Sequence, residues 1–124
     1  MENSARCRHL LAAVACLCLV ACSKTSALDT AREWARLAPY PVDTSEIELE
    51  TLGSPFSREF RLRFSASDKE LSDWLRSSPG VRDAAVSVDG PWTIYLVEPG
   101  HGAQFAEVRV NQSSGDVRVR TYWS

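Results

Sequence analysis

Five arginines, Arg61, Arg63, Arg109, Arg118 and Arg120, fall at alternate positions in runs whose other residues are apolar, so all five point outward if the apolar residues face a core. A guanidinium fork matches planar oxyanions, and such a stripe would suit phosphate groups of a membrane lipid or the acidic face of a protein. The competing arrangement is ordinary pairing with Glu46, Glu48, Glu50, Glu59 and Glu107 on neighbouring strands, and ladders of opposite charge favour it. His101 is the other candidate contact residue. It lies in the loop Glu98 to Gln104, where two glycines and a proline predict mobility, and contact residues often sit on loops held by a rigid sheet.

Catalytic and metal chemistry find little support. The two histidines are His9 and His101, and all four cysteines lie at or before position 22, whereas zinc sites draw on several His or Cys ligands. No calcium-loop pattern occurs. A Ser-His hydrolase would depend on His101 alone, without a Gly-x-Ser-x-Gly elbow. Asp68, Glu70 and Asp73 could pose as a carboxylate pair, but they open a helix, where the dipole favours anions in any case. Asn111-Gln112-Ser113 reads as turn residues. Neither a metal nor a cofactor is expected.

The N-terminus says more about location than the rest says about activity. Arg6, Arg8 and His9 precede an apolar run from Leu10 to Val20, the length of a signal-peptide core and too short for a spanning helix. Leu19-Val20-Ala21-Cys22 ends it, followed by Ser23-Lys24-Thr25-Ser26. This tetrapeptide resembles the lipobox of bacterial lipoproteins. The resemblance implies removal of residues 1–21, lipidation of Cys22 and attachment to the cell envelope, with Ser23 in place of the Asp that marks inner-membrane retention and so the outer membrane expected. Removing Arg6, Arg8 and Glu2 takes the formal charge from −2 to −3, which argues against nucleic acid.

What remains fits one small domain that must hold together without disulfides. Residues 22–28 read as a lipidated cysteine and tether, and 29–124 as a single globular domain. Thr30 to Glu33 matches a capping box, predicting a helix over Thr30 to Ala38 that Pro39 and Pro41 stop. Period-two alternation predicts strands over Glu46 to Glu50 and Glu59 to Ser65, an acidic and a basic strand that would pair. Ser67 to Glu70 opens a second helix, with Leu71, Trp74 and Leu75 on one face, ending at Pro79-Gly80. Strands follow over Ala84 to Val88, Trp92 to Val97, Phe105 to Val110 and Val117 to Trp123. Trp34, Trp74, Trp92 and Trp123 are expected to anchor the core.

The order α-β-β-α-β-β-β-β indicates a two-layer α+β fold, with two short helices on an antiparallel sheet of about five to six strands. The expected function is non-catalytic binding by a membrane-anchored envelope lipoprotein. Its partner would be an envelope protein or a foreign hydrolase that it inhibits; the alternatives are an anionic glycan or lipid headgroup, or a small hydrolase using His101 and a nearby carboxylate.

Overall fold

The alternating runs close into one six-stranded antiparallel sheet of order β1-β2-β6-β5-β4-β3. The computed structural model describes residues 23–124, so the signal segment 1–21 and Cys22 lie outside the described residues. The strands are β1 (Glu48–Ser54), β2 (Ser57–Ser65), β3 (Ala85–Asp89), β4 (Trp92–Val97), β5 (Phe105–Asn111) and β6 (Asp116–Trp123). The hairpin β1–β2 joins the meander β3 to β6 through β2 and β6, which places the longest strands at the centre. Three helices cover one face: α1 (residues 23–34), α2 (Asp68–Ser77) and the short α3 (Pro79–Arg82). The two-layer α+β architecture is the one its element order predicts.

Helix α1 corrects the expected tether and helix limits. Residues 23–28 are already helical, and Leu28, Ala31 and Ala35 are buried at helical spacing. Thr30 is inside the helix, not at its cap, and its hydroxyl donates back to the Ser26 carbonyl at 3.0 Å. The end comes before the prolines. Arg36 takes a left-handed φ of 51°, Arg36 N–H donates to Glu33 O, and Leu37 N–H donates to Arg32 O. Those two bonds form a Schellman motif that satisfies the last carbonyls and turns the chain.

The second helix follows its sequence signals. The Ser67 hydroxyl accepts from Glu70 N–H at 3.3 Å, and Leu71 and Trp74 are buried. Helix α2 ends at Ser77, just before Pro79-Gly80 as expected, and Pro79 then takes the first position of the separate helix α3, where its missing N–H costs nothing. Ser78, wholly buried between the two helices, accepts from Ala38 N–H and donates to Trp74 O at 2.7 Å.

The core lies between helices and sheet. Phe60, Leu62 and Phe64 of β2, Ala106, Val108 and Val110 of β5, and Val117, Val119 and Thr121 of β6 point into it. Phe64 stands edge-on to Trp74 at 5.4 Å and to Tyr40 at 6.0 Å, and Trp34 packs on Phe60 at 5.3 Å. The four tryptophans do not share one role. Trp74 is buried and Trp34 partly so, but Trp92 lies on the opposite face of the sheet and Trp123 is 43% exposed at its end.

Candidate functional site

Among the described residues the helices cover one face only, so the other face of the sheet is open there, and register decides what it displays. Glu48 pairs with Arg63, Arg63 with Arg118, and Arg118 with Arg109, so one row across β1, β2, β6 and β5 holds three adjacent arginines. In the next row Glu50 faces Arg61, Arg61 faces Arg120, and Arg120 faces Glu107. The structure therefore brings all five predicted arginines together on three neighbouring strands. Acid opposite base in β1–β2 is as the alternation predicts.

Like charges directly opposite destabilise a sheet, so each guanidinium needs a compensating partner. Arg61 and Arg120 share Glu59, at 2.8 and 3.0 Å. Arg109 binds Glu107 two residues away at 2.6 Å. Arg63 and Arg118 hold the loosest contacts, to Glu48 at 3.5 Å and to Asp116 at 3.7 Å, and both are about half exposed. Each arginine of the stripe thus has a carboxylate partner, but only Arg63–Glu48 and Arg120–Glu59 join neighbouring strands as the competing arrangement expects; the other three pairs lie within one strand, Asp116 takes a part, and Glu46 and Glu50 form no ion pair among the described residues. Such surface pairs contribute only about 0–1 kcal/mol each, so a partner can replace them at little cost.

Two aromatic rings also hold arginines in place. The Arg118 guanidinium lies over the Trp92 ring at 4.7 Å, and that of Arg120 over Phe105 at 5.4 Å; Phe105 in turn stacks on Tyr122. Trp92 and Phe105 were not among the sequence candidates. Trp92 sits two strands away from Arg118 and one row along, a relation set by the β4–β5 and β5–β6 registers that no local spacing encodes. Ile94 and Leu96 of β4 continue this face with apolar surface.

His101 is not part of the cluster. It lies on the β4–β5 turn with a left-handed φ of 54° and is exposed, and among the described residues no carboxylate lies within ion-pair distance of it. The ends of its loop are bonded to neighbouring segments. Gly100 N–H donates to Trp34 O, Arg36 Nε to Glu98 O, and Gln104 bonds both the Tyr122 carbonyl and Ser124. Asp68, Glu70 and Asp73 stay on α2, where Asp73 pairs with Arg76. Among the described residues no group of three His, Cys, Asp or Glu side chains is placed to hold a metal.

A broad surface depression lies elsewhere, between the start of α1 and β1, where Lys24, Thr30, Glu48 and Arg58 contribute without a convergent set of titratable groups. A shallower one lies in the open face among Glu50, Arg61, Arg63 and Arg118. Comparison of the chain with family models, with curated proteins and with solved structures finds no match.

Proposed function

We propose that this is a lipid-anchored protein of the bacterial envelope, held at the outer membrane through Cys22, whose domain acts by binding a protein partner through the open face of its sheet. The observation that carries the reading is that face itself, where five arginines stand among Glu48, Glu50, Glu59, Glu107 and Asp116 and two of them, Arg118 and Arg120, lie over aromatic rings. Charge pattern selects among partners. An anionic glycan or a field of lipid phosphates would meet as many carboxylates as guanidiniums, whereas a protein surface can answer both signs in register and cover Trp92, Ile94 and Leu96 as well. Arginine and aromatic residues are the types that anchor protein interfaces.

Photo-crosslinking in intact cells tests this. A crosslinking amino acid at Arg63 or Ile94 should give a discrete adduct with one envelope protein, while the same group at Asp73 on the helical side should not. Equal labelling from both sides, or none from the open face, would remove the reading.

A further inference from the structure

We propose that β3 is the seam of a symmetric dimer, pairing antiparallel with β3 of a second copy to make one continuous sheet. This goes beyond the proposed partner binding and uses a different part of the molecule. The two edges of the sheet are not alike. The β1 edge carries Glu48 and Glu50, and charged side chains discourage strand addition. The β3 edge, Ala85-Val86-Ser87-Val88-Asp89, has a charge only at its last residue, and all five residues are exposed. Val86 and Val88 are 58% and 74% exposed, on the same side of the sheet as the core residues Val108 and Val110. An edge strand presents unpaired backbone donors and acceptors, and this one has neither a lysine nor a proline to blunt it.

The occupant follows from the strand's own pattern. Three registers keep the helices of both copies on one side and pair at least three residues of the strand; the one centred on Val88 runs the seam into the turn at Gly90-Pro91 and sets Val86 opposite Gly90. Centring the two-fold axis on Val86 would set Asp83 opposite Asp89 at both ends, and like charges directly opposite are unfavourable. Centring it on Ser87 sets Val86 opposite Val88 twice, Ala85 opposite Asp89 twice, and Ser87 opposite itself. Both strongly exposed valines of β3 then meet a valine on the same side, and the contact is isologous. The four valines extend the row begun by Tyr95 and Thr93, the β4 partners of Val86 and Val88.

A five-residue seam is short, so the experiment traps the pair instead of weighing it. Directly opposed residues of an antiparallel pair have Cα atoms about 4.5–5.5 Å apart, within the range a disulfide spans. In the full chain expressed in its envelope compartment, Ser87→Cys should give a disulfide-linked dimer that the parent chain and Ser54→Cys, at the far hairpin, do not give. Adding Val88→Lys to Ser87→Cys puts two ammonium groups against the partner's valines and should cut the dimer about tenfold, equivalent to about 1.4 kcal/mol. Val88 is exposed, so that change leaves the fold alone. Dimer from Ser87→Cys no greater than from Ser54→Cys, a yield that Val88→Lys does not lower, or stronger trapping by Val86→Cys would each overturn the proposal.

Discussion

At Ser78 one hydroxyl links three segments, accepting from the first residues after α1 and donating to the end of α2. Replacing Ser78 by Ala leaves Ala38 N–H without its acceptor in a dry site, and urea unfolding should show a loss of about 1–3 kcal/mol. The opposite sign is expected at Thr121, which faces the core between Phe60 and Ala106 with its hydroxyl unpaired among the described residues. Thr121→Val keeps the shape and removes the stranded group, so its melting temperature should rise. Tyr40 contributes a pH dependence at the alkaline end. Burial pushes its pKa far above the usual phenol value, with the positive charge of Arg32 working against the shift and Asp29 adding to it, and the neutral hydroxyl donates to Leu28 O at 2.7 Å. In the unfolded chain the same group ionises near pH 10, so its contribution is intact below about 10 and is lost as pH rises further. Tyr40→Phe should be slightly less stable at neutral pH and should flatten the alkaline decline in stability, measured by denaturation from about pH 9 to 12.

Strands and the capped helix α2 could be read from the sequence because each carries its own local signature. Phe60, Leu62 and Phe64 alternate with charged residues, and Ser67 with Glu70 announces a helix start. Helix α1 could not be placed the same way. Among Ser23 to Ala27 only Ala27 is apolar, too little to declare a helix, and only the packing of Ala27 and Leu28 into the core, with the Tyr40 hydroxyl bonded to Leu28 O, reveals that the segment is structural. Its stop signal was hidden as well, since the left-handed cap is an arginine and not a glycine. Arg36 is held there by Gly80 N–H at its carbonyl and by Glu98 O at its Nε, contacts 44 and 62 residues distant. The correction is testable: a tether residue would tolerate change, whereas Leu28→Ala in a core helix should cost about 2–5 kcal/mol by chemical denaturation. At the meeting of α1 and α3, Gly80 admits no side chain, because a Cβ would lie 2.2 Å from Ala35 O and 2.8 Å from a Val97 methyl. Gly80→Ala should therefore destabilise by about 1–3 kcal/mol. The arginine rows were half visible: outward direction follows from alternation, but which arginine faces which, and that Trp92 supports one of them, depend on pairing between strands far apart in sequence.

For the molecule as a whole, the division into a covered and an open face would set apart stability from the proposed recognition. Replacing both Arg118 and Arg120 by Gln touches no core residue, so melting should change little, while crosslinking from the open face and its sensitivity to salt should both fall. Cys22→Ala should move the protein from the membrane fraction to the soluble fraction in folded form; retention in the membrane would count against lipid anchoring but leave the sheet's chemistry untouched. The described domain contains no thiol, so reducing conditions should leave its unfolding transition unchanged. Helix α1 also sets a limit on freedom of movement. Since residue 23 is already helical and Leu28 already belongs to the core, an acyl chain on Cys22 would be separated from rigid structure by a single peptide link. The globule would then ride against the bilayer without slack, and whatever it captures must come within a few nanometres of the lipid surface.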